Sequence, residues 1–75
     1  MKKLDLHGIK HQDVEDLVNC FINSNFSILP IVIITGNSAD MQHIVKKIVQ
    51  SYQLKIEPTS YVNLGSYIIS KHKNK

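Results

Sequence analysis

Arginine is absent from this chain of 75 residues, whose positive charge is carried by nine lysines. Because the guanidinium fork of arginine is the usual reader of guanine edges in the major groove, its absence argues against sequence-specific recognition of duplex DNA. Cysteine is almost absent as well. The single Cys20 excludes an internal disulfide and a cysteine-rich zinc site. Its position beside an apolar helical stripe predicts an inert, partly buried thiol.

Long hydrophobic runs are also missing. No apolar stretch approaches the ~20 residues that span a bilayer, and the first residues show no apolar run followed by a cleavage site. We therefore expect a cytoplasmic protein without a membrane partner. A chain of this length has room for one small hydrophobic core, so residues 1–75 are expected to form a single domain.

The net charge of +3 is concentrated at the two ends of the chain. Residues 1–3 and 71–75 hold five of the nine lysines, whereas the body between them holds four lysines and six acids, a net charge of −2. Lysine neutralises phosphates without reading the base sequence, so the ends are predicted to hold a nucleic-acid backbone loosely. The predicted contacts are Lys3, Lys71 and Lys73. The alternative is that the basic ends only keep the protein in solution.

Hydrophobic periodicity predicts six elements in the order β-α-β-α-β-β. The predicted strands cover 4–7, 31–35, 54–62 and 66–70, and the predicted helices cover about 12–24 and 41–52. The second strand is apolar on both sides, which is typical of the interior of a sheet. Pro58 favours an edge position or a bulge for the third strand. Two right-handed crossovers would place both helices on one face of the sheet, giving an α/β two-layer sandwich.

Three short motifs occur in order along this pattern: Leu4-Asp5-Leu6-His7-Gly8, Thr35-Gly36-Asn37-Ser38 and Asn63-Leu64-Gly65. The first resembles the LDxHG signature that opens Smr (Small MutS-related) domains. The second stands where that family has its TGxG loop, and the third is similar to its closing N-x-G segment. The resemblance implies a four-stranded mixed sheet of order 1-2-4-3, in agreement with an interior second strand and an edge third strand. It also implies binding or cleavage of nucleic acid.

Asp5 and His7 are the candidate catalytic pair. Period-two geometry puts both on the side of the first strand opposite Leu4 and Leu6. Histidine moves protons near neutral pH, and a neighbouring carboxylate orients the ring or helps to position a metal or a water. No ligand cluster predicts a fixed metal site, so the cofactors considered are divalent cations such as Mg²⁺ or Mn²⁺. The alternative is structural, with Asp5 capping a turn and His7 making one buried hydrogen bond.

The candidate phosphate contacts lie at two glycine turns and are Gly8, Thr35, Gly36, Asn37 and Ser38. A junction of strand, glycine loop and helix presents backbone N–H groups at a helix N-terminus, where anions bind readily. Ser38 replaces the second glycine of the family loop, and Asp40 brings a carboxylate to the same helix end. The alternative is an ordinary tight turn at Gly36 with Ser38 as the helix N-cap.

The other histidines and the tyrosines of the predicted strands give weaker indications of function. His11 lies four residues after His7, but Gly8 interrupts the spacing, so a helical metal pair is not expected. For Tyr61 and Tyr67, packing is favoured over stacking on a nucleic-acid base.

Three functions stay open after these observations. The first is an endonuclease that nicks DNA or RNA with little sequence selectivity. The second is a nucleic-acid-binding module without catalysis, which the serine in the TGNS loop favours. The third is a protein-interaction domain, because the outer side of the second strand is apolar and a homodimer or a protein partner would cover it.

Overall fold

The computed structural model describes residues 1–60, 62 and 64–72. The elements are β1 (Lys3–Asp5), α1 (His11–Asn25), a short 3₁₀ helix (Phe26–Ile28), β2 (Ile31–Ile34), α2 (Ala39–Ser51), β3 (Lys55–Pro58) and β4 (Ser66–Ser70). Neither α-helix is long and apolar enough, in the part of the chain described, to cross a membrane. Tyr61, Asn63 and Lys73 lie outside the described residues, so their expected roles stay predictions.

The four strands form one mixed sheet of order β1-β2-β4-β3. β1 pairs parallel with β2, and β4 pairs antiparallel with both of its neighbours. β2 therefore lies inside the sheet, as its two apolar faces predicted. β3 lies at the edge, where the missing N–H of Pro58 is tolerated. The predicted strand order and α/β class are confirmed.

Both helices pack on a single core. The fully buried side chains of α1 are Val14, Val18 and Ile22, and those buried in α2 are Met41, Val45, Ile48 and Val49. They join alternate residues of the sheet in one hydrophobic cluster, and the two helices contact each other. Tyr67 belongs to this cluster with 3% of its surface exposed, so the packing interpretation of this tyrosine is confirmed.

The outer surface of α1 differs from the expectation. Cys20, which was expected to be partly buried, is exposed. Successive residues of an α-helix are rotated by about 100° around its axis. Cys20 therefore lies almost on the opposite side of the helix from the buried face formed by Val14 and Val18. The prediction of a partly buried thiol was therefore wrong.

The sheet face away from the helices is apolar along β2 and charged at its β3 edge. Strand alternation places Val32, Ile34 and Ile68 on it. Val32 is only 7% exposed, and the other two are half-buried. A salt bridge of 2.6 Å between Lys55 and Glu57 adds charge at its β3 edge. This face is the one for which a homodimer or a protein partner was expected, and that expectation stays a prediction.

Candidate functional site

A pocket of ≈ 380 Å³ lies at the carboxyl ends of β1 and β2. Because these strands are parallel neighbours, the turn after β1 and the loop after β2 meet at the same edge of the sheet. Ligands of open α/β sheets bind at such an edge. Six of the residues predicted for the site line this pocket: His7, Gly8, Thr35, Gly36, Asn37 and Ser38.

The first motif ends in a tight turn, not in a longer strand. Leu6 still donates its N–H to the Ile34 carbonyl at 2.8 Å, and its own carbonyl then accepts from the N–H of Ile9 at 3.1 Å. Gly8 takes φ +76° in this turn, the conformation that a type II turn requires at its third position. An added Cβ at Gly8 would meet nothing within 4 Å, so the space beside the turn is open to a ligand.

Asp5 supports this turn through the backbone. Its Oδ1 accepts the N–H of His7 at 2.9 Å, a local bond that competes with continuation of the strand. β1 therefore ends at Asp5, and the expectation that Asp5 and His7 share a strand face was wrong. The turn-capping alternative for Asp5 is confirmed. His7 is exposed, so the buried hydrogen bond considered for this residue was wrong.

The His7 ring connects the first motif to the second. A Cβ built on Gly36 would lie 3.4 Å from Cε1 and 3.5 Å from Nδ1 of His7, so the imidazole lies beside Gly36, on the side where a side chain would project. Gly36 also has φ +69°. The loop after β2 therefore has a backbone conformation that favours glycine and leaves room for the His7 ring.

The third motif fixes this loop through Gly65. The Gly65 carbonyl accepts the N–H groups of Thr35 at 2.7 Å and of Gly36 at 3.0 Å. The Thr35 hydroxyl, in a residue that is 4% exposed, donates to the Gly36 carbonyl at 3.0 Å. A Cβ on Gly65 would come within 2.8 Å of the Gly36 oxygen. Thr35 and Gly36 thus shape the loop, and their N–H groups are not the ones that face a ligand.

The start of α2 borders the pocket and has N–H groups that the loop does not use. Ser38 is the predicted N-cap, since its Oγ accepts the N–H of Met41 at 3.2 Å. The Gln42 side chain donates to the Gly36 carbonyl at 3.1 Å and ties the loop to the helix. In the part of the chain that the structure describes, the N–H groups of Asn37 and Ser38 meet no acceptor. They stand at the positive end of the helix dipole.

The described lining of the pocket contains no carboxylate. Asp40, which was expected to compete with phosphate at this helix end, is not among the lining residues, and neither is Asp5. The described residues also contain no group of three or more histidine, cysteine or acidic side chains that could hold a metal. Because Mg²⁺ and Mn²⁺ prefer oxygen ligands, this donor set does not fit a resident cation.

His11 is a lining residue that the sequence analysis did not assign to the site. The four-residue spacing of His7 and His11 was considered only as that of two metal ligands on one helix. The intervening turn instead reverses the chain, so that the first residue of α1 borders the same cavity as His7. A histidine on each side of a predicted glycine turn was the signal available in the sequence.

The predicted lysine contacts lie away from the pocket. β4 begins opposite the pocket end of β2 and runs antiparallel to it, so about 17 Å of strand separates Ser66 from Lys71. The Lys71 ammonium lies 5.2 Å from the centre of the Phe26 ring. Lys3 pairs with Val32 in the middle of β2. Contacts from these lysines would therefore extend a nucleic-acid footprint beyond the pocket.

Comparisons with protein-family models, curated proteins and solved structures found no match. The Smr resemblance consequently depends on the three sequence motifs and on the strand order.

Proposed function

We propose that this chain is an Smr-like domain that binds nucleic acid with little sequence preference and cleaves its phosphodiester backbone. The observation that carries the proposal is the pocket where the first two motifs meet. There the His7 ring lies beside Gly36, and the N-terminal end of α2 borders the same pocket. A phosphodiester requires donors for its oxygens and a group that transfers a proton, and this pocket offers both.

Phosphate binding is assigned to the start of α2. The N–H groups of Asn37 and Ser38 can donate to two phosphate oxygens, and the helix dipole favours the negative charge there. Among the described residues, no carboxylate lines the pocket, and the nearest one on α2 is that of Asp40 in the first turn. These donors contact only the backbone of a nucleic acid, which accounts for the expected lack of sequence preference.

Proton transfer is assigned to His7. Its imidazole is exposed at the pocket and lies beside Gly36, and the Asp5 carboxylate holds the backbone of its turn. Imidazole is the side chain that both accepts and donates protons near neutral pH. Asp5 is a positioning residue in this proposal, because its carboxylate holds the His7 backbone and does not line the pocket.

A binding module without catalysis is the second candidate. One observation favours it: the Asp5 carboxylate bonds to a backbone N–H, so no carboxylate–imidazole hydrogen bond is formed by this pair in the described structure. Both candidates use the same phosphate contacts. They differ only in whether a bound strand is cut.

The test is binding and cleavage measured side by side. Labelled RNA, labelled DNA and supercoiled plasmid are incubated with the protein, with a divalent cation or with a chelator. We expect retarded complexes at low salt for unrelated sequences and cleavage of at least one substrate. Complexes without cleavage under every condition would replace the endonuclease with the binding module. The absence of any complex at low salt would contradict both candidates.

Lys71, which lies away from the pocket, gives a prediction about the salt dependence of nucleic-acid binding. Lys71→Gln should weaken binding and flatten the plot of log K against log salt by roughly 0.7–0.9 units, the value for one phosphate contact. Anisotropy titrations over a range of salt concentrations measure this slope. Lys55→Gln is the matched control, because Lys55 already pairs with Glu57. Identical slopes for the Lys71 variant and the wild type would show that this end only keeps the protein in solution.

A further inference from the structure

A second cavity, of ≈ 490 Å³, lies at the other end of the sheet from the pocket that His7 lines. β4 begins opposite that pocket and runs away from it, and Lys71 directly follows the last residue of β4. The volume of the cavity is in the range of binding sites for small molecules. We call this space the distal cavity, and its described lining residues are Phe26, Tyr52, Gln53, Leu54, Lys71 and His72.

An accessible aromatic ring and a cation meet in the distal cavity. Phe26 is 40% exposed, and the Lys71 ammonium lies 5.2 Å from the centre of its ring. The attraction between a ring and an exposed cation is weak, so a phosphate can draw the ammonium away from the ring. The ring is then open to a flat ligand. A nucleotide supplies both partners, because its base stacks on aromatic rings and its phosphate pairs with lysine.

Tyr52 gives the distal cavity a fixed wall. Its hydroxyl donates to Oδ1 of Asn19 at 2.7 Å and accepts from Nδ2 of Asn23 at 2.9 Å. These two bonds tie the end of α2 to α1 and hold the phenol ring in one orientation. Leu54 is 5% exposed and adds an apolar surface. The cavity is therefore formed by packed residues of the fold and does not require a ligand to shape it.

Gln53 occupies a position where the fold favours glycine. Its N–H donates to the Gln50 carbonyl at 2.9 Å, and the next N–H, of Leu54, donates to the Val49 carbonyl at 3.3 Å. These bonds form a Schellman motif at the end of α2, in which the left-handed residue is usually glycine. Gln53 has φ +58°. Helix termination thus does not explain the glutamine, and its exposed side chain lines the distal cavity.

The amide of Gln53 suits the edge of a nucleobase. Among the described residues it has no hydrogen-bond partner of its own within the protein. A primary amide both donates and accepts, so it can pair with the donor and acceptor edges that unpaired bases present. The described lining also contains no carboxylate that would repel a phosphate. Ring, amide and cation therefore correspond to the base, the base edge and the phosphate of one nucleotide.

We infer that the distal cavity binds one unpaired base of a single-stranded nucleic acid. The base stacks on Phe26, the Gln53 amide contacts its edge, and Lys71 contacts the adjoining phosphate. The inference rests on the proposed function and adds a second binding site to it. An amide that both donates and accepts can pair with more than one kind of base, in keeping with the low sequence preference of the first pocket. A base within a duplex is stacked and paired, so duplexes do not use this site.

The first experiment compares one labelled single strand with the same strand annealed to its complement, by anisotropy titration of the full chain. Phe26→Leu keeps an apolar side chain but removes the ring, and it should weaken single-strand binding by about 5-fold or more, the effect of losing one stacked base. Phe26→Tyr should bind like the wild type. Duplex binding should be unchanged in both variants. Ile28→Ala is the matched control, because Ile28 is 52% exposed and does not line the cavity.

The second experiment separates binding from folding. Gln53→Gly should weaken single-strand binding by about 2–10-fold, the effect of losing one hydrogen bond. Its melting temperature should be equal to that of the wild type or higher, because glycine suits the left-handed conformation at residue 53. Gln50→Ala is the matched control, since Gln50 is an exposed glutamine in the last turn of α2 and does not line the cavity.

Three results would overturn the inference. Wild-type affinity of both Phe26→Leu and Gln53→Gly for the single strand would refute the distal site and leave the proposed function standing. Equal losses on single strand and duplex would show that the cavity does not bind an unpaired base. A wild-type protein that binds neither strand at low salt would refute the proposed function together with the inference.

Discussion

Gly65→Ala is expected to lower the free energy of unfolding by about 2–4 kcal/mol. The new Cβ would lie 2.8 Å from the oxygen and 2.9 Å from the carbonyl carbon of Gly36. Both are backbone atoms, so no side-chain rotation relieves the overlap. Moving the strands apart would also weaken the two hydrogen bonds that the Gly65 carbonyl accepts from Thr35 and Gly36. Domains of this size are stable by only about 4–11 kcal/mol, so this loss is a large fraction of the total.

Thermal and urea unfolding measure the effect, and the melting temperature should fall by about 10–25 °C. Gly8→Ala is the matched control. A Cβ at Gly8 meets no atom within 4 Å, and only its positive φ is unfavourable for alanine, at about 1–2 kcal/mol. A loss in Gly65→Ala no larger than the loss in Gly8→Ala would mean that small backbone shifts relieve the overlap, and it would contradict the requirement for glycine at residue 65.

His7→Ala and His7→Gln should each reduce the rate of phosphodiester cleavage by roughly 10²-fold or more, the scale expected for the loss of a positioned acid or base. The affinity for the strand should hardly change, because the N–H groups assigned to phosphate belong to Asn37 and Ser38. Stability should change by no more than about 0.5 kcal/mol, since His7 is exposed. Single-turnover rates and binding titrations on the same preparations separate these effects.

Variants of Asp5 test whether its carboxylate contributes to cleavage through the hydrogen bond to the His7 N–H or through its negative charge. Asp5→Asn keeps an oxygen that can accept the His7 N–H, whereas Asp5→Ala removes it. We expect Asp5→Asn to retain most activity and Asp5→Ala to lose much of it, because the backbone bond is what positions the turn. Equal losses in both would instead assign a role to the negative charge. Unfolding of the His7 variants would make His7 a structural residue and would refute its catalytic assignment.

The strand order was predictable because the pattern of apolar residues indicates which strands are buried inside the sheet. The apolar run of β2 indicated an interior strand, and Pro58 indicated an edge; both interpretations agree with the observed strand order. The pattern failed at the end of β1. Alternation continues to His7, but the Asp5 carboxylate bonds to the His7 N–H and starts a turn. Periodicity does not register such local competition between a side chain and the ladder.

The candidate site was only partly predictable for a similar reason. The motifs identified residues around the pocket, but they did not show which backbone N–H groups already donate a hydrogen bond within the protein. Thr35 and Gly36 donate to Gly65, a residue about thirty positions away, and this contact exists only after folding. His11 was not predicted as a pocket residue because its four-residue spacing from His7 was considered only as a spacing within one helix. The chain direction reverses between the two histidines.

The Gly65 carbonyl has a consequence for the time at which the pocket forms during translation. Chains emerge from the ribosome N-terminal end first, at about 5–20 residues per second. A growing chain that has just completed α2 already contains His7, His11 and the TGNS loop, but not the acceptor that fixes the loop. The pocket takes its shape only when β4 has been made and has added to β2. An N-terminal fragment that ends with α2 would therefore contain most of the residues that line the pocket without the contact that holds the loop in place.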